Sequence, residues 1–153
     1  MIVEVADAAA TTELRRAVLR PDWAPGSAMP GDDDATFVHL AARDEDGRVV
    51  GACVLLPRLC PAAPGRTPAW QLRGMATAAD ARGQGIGTAV VEAAVREATD
   101  RGGALLWCEA RESAIGFYAA HGFTGTGARY AHAETKRPHL MMLRELSGPP
   151  ASS

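Results

Sequence analysis

The 153-residue sequence predicts an α/β (α+β) fold, a mixed sheet with helices on its faces. Three observations carry this reading. Seven short segments have the alternating or continuous apolar pattern of strands, and three others have helical periodicity. Their order is strand, helix, three strands, helix, strand, helix, two strands. A cluster of glycines stands where one strand hands over to the longest helix, between Gly83 and Gly87.

Taken in order, Ile2 to Val5 alternates and opens the sheet. Asp7 is placed to cap a helix whose Leu14, Ala17 and Val18 share a face. Arg15, Arg16 and Arg20 crowd that helix's C-terminal end, where cations suit the dipole, and Pro21 stops it. Residues 21 to 34 are rich in Pro, Gly and Asp. That makes a long loop, expected to be mobile or functional. Thr36 to Ala42 and Arg48 to Leu56 are strands joined by an Asp46-Gly47 hairpin turn.

Pro57 to Pro68 holds four prolines and a glycine and forms a second loop. Trp70 to Thr77 is a strand interrupted by Gly74, a sign of a bulge or a close backbone approach. The helix after the glycines has Ile86, Val90, Ala93 and Ala94 as its apolar stripe. Glu92 with Arg96, and Glu97 with Arg101, are favourable i,i+4 pairs, and Gly102-Gly103 ends the helix. Ala104 to Cys108 is a buried strand, and Glu112 to Ala120 is a short helix closed by Gly122. Phe123 to Ala131 and His139 to Leu146 are the last strands. Residues 1–146 are expected to form one domain, and 147–153 (SGPPASS) a disordered tail.

Composition narrows the function. The chain is 47% hydrophobic and 22% charged, with a net charge of −2. A protein built to hold nucleic acid is usually basic, so no nucleic-acid partner is expected. No apolar run reaches the length of a membrane span, and the first residues lack a signal peptide's pattern. Three cysteines without C-x-x-C spacing fit a reducing compartment. The expected location is cytoplasmic. His39, His121 and His132 are isolated in sequence without metal-ligand spacing, so no metal is expected.

Arg82-Gly83-Gln84-Gly85-Ile86-Gly87-Thr88 is the most informative stretch. Successive glycines let a ligand approach the backbone, and the first N–H groups of the helix converge on it. With the helix dipole they suit a pyrophosphate, and Arg82 and Arg73 can add charge. The dinucleotide fingerprint G-x-G-x-x-G does not fit, because Thr88 stands at the third glycine, although Glu109 imitates the ribose-binding acid. A P-loop is excluded, since no Gly-Lys-Ser/Thr follows. A glycine turn without a ligand is the remaining alternative.

Here the sequence resembles the GNAT superfamily of acyl-CoA-dependent N-acyltransferases. RGQGIG at Arg82 to Gly87 matches that family's R/Q-x-x-G-x-G/A signature. AIGFYAAHGF at Ala114 to Phe123 matches its A-I-x-x-Y-x-x-x-G-F segment. VLRPDW at Val18 to Trp23, WQLRGMAT at Trp70 to Thr77, LWCEAR at Leu106 to Arg111 and PHLMM at Pro138 to Met142 are similar to its ElaA-like bacterial branch. The resemblance implies a mostly antiparallel sheet of about seven strands, splayed at an acyl-CoA cleft. It implies acetyl-CoA as co-substrate. Main-chain groups of Met75, Ala76 and Thr77 would face the pantetheine arm, and Arg82, Gly83, Gln84, Gly85, Ile86, Gly87 and Thr88 would hold the pyrophosphate. Many relatives carry an asparagine seven residues before the helix tyrosine; here Arg111 stands there. Arg111 either supplies a charged contact to the cofactor or leaves that contact absent.

Acyl transfer needs a neutral amine, a polarised thioester and a proton for the leaving thiolate. Backbone N–H groups near Met75 can meet the oxyanion. Tyr118 is the candidate general acid, since a phenol is protonated at neutral pH; the alternative is a packing aromatic. Glu109 is the candidate base, with His139 as the other and a structural salt bridge as the alternative. Cys108 could be an acylated nucleophile, but direct attack in a ternary complex is preferred. Asp32-Asp33-Asp34 could attract a cationic acceptor or be a solvated turn.

The reading is an acetyl-CoA-dependent N-acetyltransferase acting on a primary amine of a small molecule or peptide. A homodimer through the last strands is plausible. A non-catalytic acyl-CoA sensor and a nicotinamide dinucleotide binder are the rivals.

Overall fold

The computed structural model describes residues 1–146, so the expected disordered tail at 147–153 lies outside the described residues. The elements are β1 (Ile2–Ala6), α1 (Ala8–Leu19), β2 (Val38–Arg43), β3 (Val49–Pro57), β4 (Ala69–Thr77), α2 (Ile86–Asp100), β5 (Leu105–Arg111), α3 (Ile115–Ala120), β6 (Thr124–Ala131) and β7 (Pro138–Glu145). The seven strands form one sheet in the order β1-β2-β3-β4-β5-β7-β6. β1 with β2, β2 with β3, β5 with β7 and β6 with β7 are antiparallel. β4 and β5 are parallel, pairing Ala69–Gln71 with Leu105–Trp107. No helix among the described residues is long and apolar enough to cross a membrane.

The residues group into two compact units. The first comprises Met1–Leu56 and Leu72–Arg96, and the second Pro57–Gln71 with the described residues from Glu97 onward.

In the first unit, α1 turns a different face inward from the one its apolar residues mark. Thr11, Arg15 and Arg16 are buried, whereas Ala17 is exposed and Leu14 and Val18 are half-buried. The reason is a set of polar partners in the following loop. Arg15 Nη2 donates to both oxygens of Asp32, at 2.8 and 2.9 Å, and Arg15 Nε donates to Thr11 Oγ1 at 3.1 Å. Thr12 Oγ1 donates to Asp32 Oδ2 at 2.6 Å. Arg16 reaches Glu13 at 2.7 Å and the Trp23 carbonyl at 2.8 Å, and Glu13 in turn accepts the Gly26 N–H. The loop after Pro21 is therefore pinned to α1 at Trp23, Gly26 and Asp32. Asp7 does occupy the N-cap, but its carboxylate makes no capping bond; its carbonyl accepts the Ala10 N–H.

β2 begins at Val38 rather than Thr36 because Asp34 takes both the N–H and the hydroxyl of Thr36, at 2.9 and 2.7 Å, into a turn. Leu40, Val50, Leu55 and Leu56 are buried on β2 and β3. Ile86, Val90, Val91, Ala93 and Ala94 of α2 are buried in the same unit, which is the expected stripe with Val91 added. Gly51 makes room for this helix. A Cβ there would stand 2.5 Å from Ile86 Cγ2.

The second unit packs Cys60, Ala69, Leu105 and Trp107 together, with Ala63, Met141 and Leu143 against them. The loop after β3 closes over this face. Trp107 Nε1 donates to the Arg58 carbonyl at 3.0 Å, and Ala104 N–H to the Pro68 carbonyl at 2.7 Å. β5 runs on to Arg111, past its expected end at Cys108, because its register with β7 continues to Arg111 opposite His139. The segment after it starts as a 3-10 turn, Glu112–Ala114, before α3 proper. β6 is irregular between Thr126 and Tyr130.

Candidate active site

β4 delivers the chain to the glycine loop. Gly74 interrupts that strand at φ +63, a left-handed conformation that glycine adopts without a Cβ clash. Beyond it Met75 and Thr77 are half-buried and Ala76 is buried. The Ala78 N–H donates to the Val50 carbonyl at 2.8 Å, which ties the exit from β4 to β3. A 3-10 turn, Ala79–Ala81, follows, and then Arg82–Gly85, all exposed.

Gly83 and Gly85 have φ of +81 and +76, and a Cβ on either would meet nothing within 4 Å. These glycines therefore answer to backbone conformation and to open approach, not to packing. The Ala89 N–H bonds the Gly85 carbonyl at 3.1 Å, closing the first turn of α2. Gly85, Ile86 and Gly87 lie ahead of that bond, so no carbonyl within the helix is in range of their N–H groups. No acidic side chain stands in the first turn to occupy them. Ile86 is 4% exposed and anchors the turn from beneath. The amides that the helix leaves unbonded, the dipole's positive end and Arg82 together suit a diphosphate. The residues present thus fit the pyrophosphate of coenzyme A.

Met75, Ala76, Thr77 and Arg82 to Thr88 belong to the first unit; Glu109, Arg111 and Tyr118 belong to the second. Tyr118 is 7% exposed on α3. Its ring meets Phe117 and Phe123 edge-on, each at 5.3 Å between centroids, so the packing role holds whatever the hydroxyl does. Gly122, at φ +85, ends the helix as expected. Arg111 is exposed at the end of β5.

Glu109 sits within β5 opposite Met141 of β7. Tyr130 donates its phenol hydrogen to Glu109 Oε2 at 2.7 Å. Burial and this bond push the Tyr130 phenol well above its usual range, so it stays a donor. Glu109 Oε1 faces His132 Nε2 at 3.8 Å. His132 Nδ1 accepts the N–H groups of Glu134 and Thr135, at 3.2 and 3.4 Å. The His132 and His139 rings lie 4.7 Å apart, and His139 Nδ1 pairs with the Arg137 carbonyl at 2.9 Å, which makes that nitrogen the donor.

His132 is therefore not isolated, contrary to the sequence expectation, and His121 lies 4.8 Å from the Phe117 ring. Tyr130 was missed altogether. The signal was faint: Tyr130 stands near the end of β6 opposite His139, and His132 follows two residues on, just past the strand.

Burial pushes the Cys108 thiol up to about 12, which leaves no thiolate for attack near neutral pH. Asp32 is committed to Arg15 and Thr12, and Asp34 to Thr36, so neither waits for a cationic acceptor. Among the described residues no group of three or more His, Cys, Asp or Glu side chains is placed to hold a metal ion.

The sequence profile of the acetyltransferase (GNAT) family matches residues 8–123. The chain belongs to the GNAT family. That match contains every candidate site residue from Met75 to Tyr118. The uncharacterized N-acetyltransferase YitI of Bacillus subtilis (strain 168) is 28% identical over 117 residues, which is 76% of this chain and 78% of YitI. In fold, the chain is similar to an aminoglycoside 6'-N-acetyltransferase solved with coenzyme A. The TM-score is 0.77 at 19% identity, covering 98% of this chain and 99% of the other. It is also similar to Escherichia coli ElaA, with a TM-score of 0.72 at 17% identity over 95% of this chain and 100% of ElaA. The seven-stranded mixed sheet with flanking helices is the GNAT architecture that the sequence predicted.

Proposed function

We propose that this GNAT protein is an acetyl-CoA-dependent N-acetyltransferase that moves an acetyl group to a primary amine by direct attack in a ternary complex. One observation carries the reading most: the exposed glycine turn at the start of α2, with Gly83 and Gly85 both left-handed and the space above them open. The coenzyme A complex of an aminoglycoside 6'-N-acetyltransferase of like fold supports the co-substrate.

In this reading residues 1–146 work as one catalytic domain. Amides of Gly83 to Thr88 take the pyrophosphate, aided by Arg82. Main-chain groups of Met75 to Thr77 line the pantetheine arm and polarise the thioester carbonyl. Arg111 supplies a charged contact to the cofactor. Glu109 accepts the proton the amine gives up as it attacks. Tyr118 donates a proton to the departing thiolate, so that coenzyme A leaves as the thiol. The buried Cys108 thiol supports direct attack over an acyl-enzyme route.

The test is to incubate the protein with acetyl-CoA and a panel of primary amines while following free thiol release. Acceptor-dependent release that is abolished in Glu109→Gln supports the reading. Tight acetyl-CoA binding without release for any amine would make the chain a sensor instead.

A further inference from the structure

Resting on the reading of Glu109 as the base, we infer that Tyr130 is its positioning residue and also shapes the acceptor subsite, which takes a primary amine carrying an apolar flank. Tyr130 works from both ends. Its hydroxyl donates to Glu109 Oε2 at 2.7 Å, and that fixes the carboxylate's rotation. The second oxygen, Oε1, is left for the acceptor's proton. Oε1 faces His132 Nε2 at 3.8 Å. That nitrogen carries the ring hydrogen, because His132 Nδ1 is the acceptor of two backbone N–H groups in the turn behind it. His132 therefore presents a positive edge to Glu109 and cannot itself take the proton there.

The other end of Tyr130 is a wall. Its ring, Met141, Gly127, Pro61 and Ala62 line an open depression of about 310 Å³. Met141 is also the β7 partner of Glu109, so both side chains leave the sheet on the same face. The depression thus lies beside the carboxylate. Among the described residues no charged side chain lines it. An alkyl or aryl flank gains by covering Tyr130 and Met141. A second ammonium would gain nothing there, since no carboxylate lines the depression. The occupant fixed by this contrast is an amine with one cationic end, turned to Glu109, and an apolar remainder.

The test uses the full-length protein with acetyl-CoA and two acceptor classes: phenethylamine and butylamine on one side, spermidine and an aminoglycoside on the other. The wild type should prefer the first class by about tenfold or more in kcat/KM. Tyr130→Phe keeps the wall and removes the hydroxyl. Its kcat should fall about tenfold or more, as for one lost bond to a charged group, with an unchanged KM for acetyl-CoA. Tyr130→Leu should in addition raise KM for phenethylamine. Melting curves of both variants show whether the fold is kept. A Tyr130→Phe enzyme with wild-type kcat, or a wild type that prefers the polycations, overturns the inference and leaves the N-acetyltransferase reading standing. A wild type that releases no thiol with any amine overturns both.

Discussion

Gly51 of β3 lies so close under Ile86 that a methyl group on it would sit 2.5 Å from Ile86 Cγ2 and 3.2 Å from Val90 Cγ2. The first distance is too short for two carbons and the second is tight, so the Ile86 side chain must shift if Gly51 gains a Cβ. Ile86 is the first residue of α2, and its retreat would move the amides beside it. Gly51→Ala should cost about 1–3 kcal/mol of stability, as overpacked cores do. It should also weaken acetyl-CoA binding although Gly51 lies outside the glycine loop. Denaturant titration and calorimetry read the two effects.

Arg15 and Asp32 form a pair whose side chains are 4% and 17% exposed. Removing one partner strands the other. Asp32→Ala should destabilise the protein by about 3 kcal/mol, whereas the double variant Arg15→Met, Asp32→Leu should lose clearly less, since no buried charge is left alone. Urea denaturation of the three proteins decides it.

His39 is buried, and neither of its ring nitrogens has a hydrogen-bond partner among the described residues. Burial, with the nearby Arg15 guanidinium, holds its imidazole below the usual histidine range, and Asp32 opposes this only in part. The unfolded chain therefore takes up a proton near pH 6.5, where the folded protein does not. Stability should fall as pH drops from about 7 through that range, and should stop falling on this account once the folded histidine also titrates. His39→Phe should flatten the dependence. Unfolding curves at several pH values with both proteins test the sign.

Tyr118→Phe keeps the edge-on contacts with Phe117 and Phe123 and removes the hydroxyl. Turnover should fall about a hundredfold, the ordinary contribution of a general acid, while the acetyl-CoA dissociation constant holds. Steady-state kinetics with a calorimetric titration checks this.

The parts legible in the sequence were those with a local physical cause. Gly74, Gly83 and Gly85 were readable because a left-handed backbone almost demands glycine. The apolar stripe of α2 was readable because its burial follows one period. The inward face of α1 was not. Its apolar residues pointed to Leu14, Ala17 and Val18, but the partner that buries Arg15 is Asp32, seventeen residues on in a loop whose composition suggests solvent. The Glu109 cluster was hidden for a similar reason. Tyr130 reaches Glu109 by the β6–β7 register, and that register shifts between Thr126 and Tyr130 in a way no periodicity reveals.

The proposed activity requires that the turn at Gly83 to Gly87, exposed at Gly83 and Gly85, grip a diphosphate. Calorimetric titration of acetyl-CoA into the wild type and into Gly85→Val tests that grip most directly. A branched side chain at φ +76 strains the turn and covers the approach to its amides. Saturable heat is expected with the wild type, and binding weakened by about tenfold or more in a folded Gly85→Val protein. No heat with the wild type, or equal affinity in the two, would contradict it.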